Sequence, residues 1–183
     1  MKIQFREVDD ISIVSLQGEL DSQTAPDLEN QILPRAPLLE AVLFGSGRPV
    51  LAIPPSVPDT IGEVIIVPWN GSSESARAVH FASTLLRSAK QVLVLNVEGG
   101  HYGGPSAGEL AEALKLEGVA AEMVDAKVGQ DSVGEAILRE ADRLGADLML
   151  KGAYTRSRLR QMFFGGITSH LMAYSKIPVL FAH

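Results

Sequence analysis

The sequence contains no cysteine, which excludes disulfides, thiolate metal sites and a cysteine nucleophile and fits a reducing compartment. Positive charge is the minority sign: 16 Lys and Arg stand against 22 Asp and Glu, a formal net charge of -6. Such a chain repels phosphate backbones and anionic lipid, so no nucleic-acid or membrane partner is expected. Long apolar runs are missing too. Val64 to Trp69 and Val92 to Leu95 are strand-sized, far short of the roughly 20 residues of a membrane helix. Met1 to Val8 mixes charges into an alternating pattern and does not read as a signal peptide, so the expected location is the cytoplasm. No phosphate-loop lysine motif and no dinucleotide Gly-x-Gly-x-x-Gly fingerprint occurs. His80, His101, His170 and His183 lack ligand spacing, and no metal site is expected.

What is present is a globular composition, 183 residues with 46% hydrophobic and 21% charged, enough for one sizeable core. From residue 63 onward strand-like runs alternate with helical ones, the pattern of a parallel sheet covered on both faces. Strands are predicted at Glu63 to Pro68, Gln91 to Val97, Val119 to Ala126, Asp147 to Leu150 and Pro178 to Ala182. Helices are predicted at Ser72 to Ser88, Ser106 to Glu117 and Asp131 or Ser132 to Leu144, and a loop followed by a helix over about Arg156 to Ser175, with Gly165-Gly166-Ile167-Thr168 at the start of that helix. The predicted fold class is therefore α/β, a doubly wound five-stranded parallel sheet.

Residues 1–62 read differently. Met1 to Gln17 is a predicted β-hairpin around Asp9-Asp10, and Gln23 to Leu33 a helix capped by Thr24 ahead of Pro26. Leu38 to Phe44 is a short predicted helix and Arg48 to Ile53 a strand, before the proline-rich linker Pro54 to Pro58. This inventory is too small for a second core. It is expected to be an appended segment, with residues 63–183 as the domain.

Ligands of doubly wound sheets sit beyond the carboxyl ends of the strands where the winding reverses. Two loops there stand out. Pro68-Trp69-Asn70-Gly71-Ser72-Ser73 is a tight turn feeding a helix N-terminus, whose free amides favour an anion. Lys151-Gly152-Ala153-Tyr154-Thr155-Arg156-Ser157-Arg158-Leu159-Arg160, followed by Gly165-Gly166-Ile167-Thr168, combines glycines with concentrated positive charge. Trp69 is read equally as a base-stacking ring or a core plug. Glu109 with Glu112, and Glu135 with Arg139, are read as solvated helix faces, and Ser46 between two glycines as a turn without a partnered base.

From about residue 36 to 183 the chain resembles the universal stress proteins. The carrying residues are Val-Ile-Ile-Val-Pro-Trp-Asn-Gly-Ser (64–72), Gly-Ala-Asp-Leu (145–148), Gly-Ala-Tyr (152–154), Ser-Arg-Leu-Arg (157–160), Phe-Gly-Gly-Ile-Thr (164–168) and Ile-Pro-Val-Leu (177–180). The resemblance implies the adenine-nucleotide alpha-hydrolase-like fold and a site for ATP with Mg2+ made by Pro68, Asn70, Val97, Gly152, Thr155, Arg156, Gly165, Gly166 and Thr168. Lys151 or Arg156 would neutralise phosphate. In ATP-binding relatives the motif is glycine, two residues, glycine, nine residues, glycine, then serine or threonine. Here Thr155 holds the second glycine position and Gly166 the hydroxyl position, with Thr168 as its substitute, and the acid usual after the first strand is Asn70. A threonine where positive φ is needed costs on the order of 1 kcal/mol. Asn70 cannot take up a proton as an aspartate could, and no general base is evident, so no enzyme activity is expected.

Residues 38–53 resemble the closing helix and strand of a preceding stress domain in tandem members. Val14 to Ser22, Val-Ser-Leu-Gln-Gly-Glu-Leu-Asp-Ser, resembles the start of an anti-sigma-factor antagonist (STAS) domain, without that family's phosphorylatable serine turn. The combination suggests a fusion remnant or a chimera. The strand Pro49 to Ile53 is expected to pair with Pro178 to Ala182, within the chain or across a homodimer, with the hairpin covering the exposed sheet. Two alternatives remain open: a dimeric stress or scaffold protein whose nucleotide site has decayed, and a STAS-like regulatory module.

Overall fold

The computed structural model describes residues 2–8, 11–17, 35–56, 58–98, 103–153 and 166–183. The predicted helix Gln23 to Leu33, Asp9-Asp10 and residues 154–165 lie outside the described residues.

Eight strands form one sheet: β1 (Lys2–Val8), β2 (Ile11–Gln17), β3 (Val50–Ile53), β4 (Val64–Trp69), β5 (Gln91–Val97), β6 (Ala121–Ala126), β7 (Leu148–Gly152) and β8 (Val179–Ala182). Their order is β1-β2-β3-β8-β7-β4-β5-β6. The five strands from β8 to β6 are mutually parallel, as the sequence predicts. Among the described residues six helices accompany them: α1 (Arg35–Ser46), α2 (Ser73–Phe81), α3 (Ser83–Ser88), α4 (Ala107–Leu116), α5 (Val133–Arg143) and α6 (Ile167–Tyr174).

Alternation along the apolar strands sends neighbouring side chains to opposite faces. Ile66, Leu93, Leu95, Met149 and Phe181 meet Leu39 and Leu43 of α1, Ile137 and Ala141 of α5, and Leu171 of α6 on one face. Ile65, Val67, Val92, Val94, Leu148, Leu150 and Leu180 meet Leu86 of α3 and Ala107, Ala111 and Leu114 of α4 on the other. Each buried Leu or Ile stabilises by about 1.5–3 kcal/mol; having two such faces makes β4, β5 and β7 continuously hydrophobic rather than alternating. Helices α5 and α6 touch where Gly134 leaves room for a ring: a Cβ there would stand 2.6 Å from His170 Cδ2.

Two differences from the sequence reading stand out. The helix predicted at Ser72 to Ser88 is two, because Ala82 (φ -88°, ψ 9°) ends α2 and begins α3. The hairpin extends the sheet instead of covering it, since β2 pairs in parallel with β3, with Ser12↔Val50 through Ser15↔Ile53. The closing helix begins at Ile167, where the Gly-Gly-Ile-Thr stretch places its start.

The strand near Pro49 does pair antiparallel with the closing strand, and within one chain: Val50↔Phe181, Leu51↔Leu180 and Ala52↔Val179. Both strands therefore have neighbours on both edges, β3 between β2 and β8, and β8 between β3 and β7. Of the two expected forms of this pairing, within the chain or across a homodimer, the structure has the first.

Candidate functional site

The winding reverses between β4 and β7, and the sheet opens there. The β4–β5 ladder runs to Trp69↔Asn96, whereas β4–β7 pairing stops at Ile66↔Met149. Pro68, buried in β4, explains the early stop in part, since it has no N–H to give to a neighbour. Beyond the ladder the two strand ends separate around the start of α2.

The turn after β4 is held by a directional network. Asn70 Oδ1 accepts from Ser72 N at 3.1 Å and from Ser75 Oγ at 2.6 Å. Ser72 Oγ accepts from Ser75 N at 3.2 Å, capping α2, and donates to Ser75 Oγ at 3.2 Å. Gly71 makes the turn possible with φ 72°, a left-handed conformation that side chains rarely adopt. Gly104 packs its backbone on this turn, where a Cβ would fall 2.1 Å from Gly71 O.

Gly152 closes β7 directly against α2. A Cβ on it would lie 2.4 Å from Ser75 N and 2.7 Å from Glu74 C. The glycine that the family motif assigns to the ligand is thus also demanded by helix packing. Its neighbour Lys151 is buried, 6% exposed, and donates from Nζ to Gly152 O at 3.2 Å. It braces the strand end and does not stand as an exposed cation. Glu74, in the first turn of α2, is 3% exposed.

Trp69 is a plug. It is 6% exposed within the apolar cluster of its face, and Nε1 donates to Pro105 O at 2.7 Å. Val97 ends β5 one residue past Asn96, the partner of Trp69 in the ladder. Gly166 caps α6 in an extended conformation (φ -80°, ψ 157°) without a side-chain hydrogen bond, and open space surrounds its Cβ position. Thr168 is half-buried in the first turn of α6. The structure thus brings together Pro68, Asn70, Val97 and Gly152 at the carboxyl ends of adjacent strands. Gly166 and Thr168 sit on α6, which packs on the face opposite α3 and α4. Thr155, Arg156 and Gly165 lie outside the described residues.

The rim holds one residue to which sequence reasoning assigns no role. His183 Nδ1 lies 3.0 Å from Ala153 O, so Nδ1 carries the proton, since a carbonyl only accepts. No signal in the sequence marks this contact, because it depends on β7 and β8 lying side by side. A depression of about 380 Å³ lined by Val64, Lys90, Gln91, Ala120, Ala121 and Glu122 lies at the amino ends of β4 to β6, the wrong end for a switch-point ligand. Among the described residues no group of three His, Asp or Glu side chains could hold a metal ion, and no helix is long and apolar enough to cross a membrane.

Comparison with known proteins completes this picture. Stress response protein NhaX of Bacillus subtilis (strain 168) is 34% identical over 56 residues, which cover 31% of this chain and 34% of that protein. The chain thus spans about a third of the length of the curated relative it matches. A universal stress protein from Archaeoglobus fulgidus DSM 4304 superposes with a TM-score of 0.59 at 17% identity, over 73% of this chain and 49% of that one. A universal stress protein solved in complex with cAMP gives 0.48 at 22% identity, over 66% and 96%. The Universal stress protein family matches residues 63–183, and residues 1–33, expected above to resemble the start of a STAS domain, lie outside that match. With its parallel core and this match covering most of its length, the chain belongs to the universal stress protein family.

Proposed function

We propose that the chain is a non-catalytic, cytoplasmic binding protein of the stress response whose switch-point cleft holds an adenine nucleotide, ATP in the first instance. The observation that carries this reading is the opening of the sheet: β4 leaves β7 at Ile66 but stays with β5 to Trp69. That separation admits the start of α2 between the strand ends, against Gly152, and so brings a helix N-terminus, whose amides favour phosphate, to the switch point. Asn70 and Gly152 would line the phosphate side and Val97 the base, with Gly166 and Thr168 contributing from α6, and Thr155, Arg156 and Gly165 from the sequence between. Mg2+ would enter with the phosphates. Asn70 offers no proton acceptor for hydrolysis, its carbonyl oxygen being held by Ser72 and Ser75.

The test is the melting temperature of the full chain with millimolar Mg-ATP. Ligand at 100 times its dissociation constant adds about 2.7 kcal/mol of stability, a rise of several degrees; an unchanged melting temperature overturns the reading. Gly166→Ser is expected to tighten ATP binding, because its backbone angles and open surroundings admit a serine without strain.

A further inference from the structure

The strand order puts β1 at one border of the sheet and β6 at the other. Each border leaves a row of backbone N–H and C=O groups without a neighbouring strand among the described residues. The two differ in charge. β6, Ala-Glu-Met-Val-Asp-Ala, exposes Glu122 and Asp125 and contains no cation, so a strand laid along it must tolerate two carboxylates. β1, Lys-Ile-Gln-Phe-Arg-Glu-Val, is seven residues long, contains no proline and mixes both signs. Pleating places Lys2, Gln4, Arg6 and Val8 on one face and Ile3, Phe5 and Glu7 on the other. The second of these is the face of Val14 and Ala52, since the register runs Phe5↔Val14 and Val14↔Ala52.

We infer that the β1 border is a self-complementary interface, pairing antiparallel with β1 of a second copy of this chain about a two-fold axis at Phe5. Directly opposed residues of an antiparallel pair share a face, so an axis normal to the sheet must pass through a residue. Phe5 is the middle of the seven. An axis there opposes Lys2 to Val8, Ile3 to Glu7, Gln4 to Arg6 and Phe5 to itself, so the whole strand is used and no like charges meet. Centring on Gln4 sets Lys2 against Arg6, and centring on Arg6 or Glu7 sets that charge against its own copy, each of which destabilises. The row of Ala52, Val14 and Phe5 then continues into Phe5 of the second copy, and aromatic cross-strand pairs favour sheets. A single ladder of this length belongs to the small, transient class of interface, below roughly 1,200 Å². The dimer is therefore expected to be weak, with the chain monomeric when dilute.

The experiment is sedimentation equilibrium of the full chain from about 10 μM to about 1 mM, with Gln4→Glu and Gln4→Lys, whose new charges fall opposite Arg6 of the second copy. The native chain is expected to dimerise towards the upper end of that range. The Gln4–Arg6 pair occurs twice in a symmetric dimer, so Gln4→Glu is expected to tighten association about fivefold and Gln4→Lys to weaken it about fivefold. Both shifts should shrink as salt is added. Trapping gives a second reading, because the chain has no cysteine and opposed Cα atoms stand about 4.5–5.5 Å apart, within disulfide reach. Phe5→Cys is expected to form a disulfide-linked dimer under mild oxidation, and Met123→Cys, exposed on β6, far less of one. A native chain that stays monomeric at every concentration overturns the inference even if the variants misfold. So does a dimer that both Gln4 variants leave unchanged, which puts the contact elsewhere, or equal crosslinking through Phe5→Cys and Met123→Cys, which makes it unspecific.

Discussion

At Gly152 a single missing Cβ decides how β7 meets α2. Gly152→Ala would drive a methyl to 2.4 Å from Ser75 N, and because that neighbour is backbone, the helix start must shift. Overpacking of this kind costs typically 1–3 kcal/mol; a lowered melting temperature with weakened ATP binding is the expected outcome, read by calorimetry. Asp147 acts at the opposite end of the same strand. Its carboxylate accepts from Gly62 N at 2.9 Å, Glu63 N at 3.1 Å, Val64 N at 3.0 Å and Thr60 Oγ1 at 2.7 Å, tying the approach to β4 onto β7. Asp147→Ala would leave three amides without that acceptor, and a loss of about 3 kcal/mol or more is expected in urea unfolding. The sequence shows this aspartate only as part of Gly-Ala-Asp-Leu; nothing local reveals that its partners lie more than eighty residues earlier.

At the scale of elements, the strands of the parallel core were legible because β-branched runs between glycine and proline punctuation leave little choice. Helix starts were legible too, since Ser72, Ser106 and Ser132 cap α2, α4 and α5. The glutamates that follow face solvent, as their spacing predicts, and have a second task. Glu109 and Glu135 do not merely face solvent: each reaches back to its cap residue's N–H at 2.7 Å, closing a capping box with Ser106 and Ser132. The serine-x-x-glutamate spacing carried that signal. Arg139 pairs with Asp131 instead of Glu135 and donates to Lys127 O at 2.6 Å.

The backbone and side-chain hydrogen bonds from Ser132, aided by nearby His170, hold the Glu135 carboxyl below the ordinary glutamate range. Its folded pKa is depressed, so its contribution is present above the unfolded value and is lost as pH falls through the folded one. Glu135→Gln is therefore expected to lower the melting temperature at neutral pH, with the difference from the native chain vanishing in acid. Ser132→Ala is expected to cost about 1 kcal/mol.

For the whole molecule, β3 is the strand on which the added N-terminal part depends. Its antiparallel pairing with β8 was legible, because an apolar Pro-Val-Leu-Ala-Ile strand without its own sheet needs a partner edge. That the hairpin continues the sheet was not legible: which edge a hairpin finds is a long-range choice with no local mark. Leu51→Pro removes a ladder N–H and interrupts β3 between β2 and β8. Exposing the edge of β8 should make the chain self-associate, which is measured as a concentration-dependent elution volume in gel filtration; an unaltered monomer-sized profile would count against β3 as the cover of that edge.

Five strand spacings separate β1 from β4 in the sheet order, a span of about 24 Å at some 4.8 Å per strand. A molecule gripping the outer border of β1 and a nucleotide at Asn70 would therefore not compete for space. At physiological salt that span is also about three screening lengths, so neither occupant would feel the other's charge. Any communication between them would have to be mechanical, carried by a change in the twist of the strands in between.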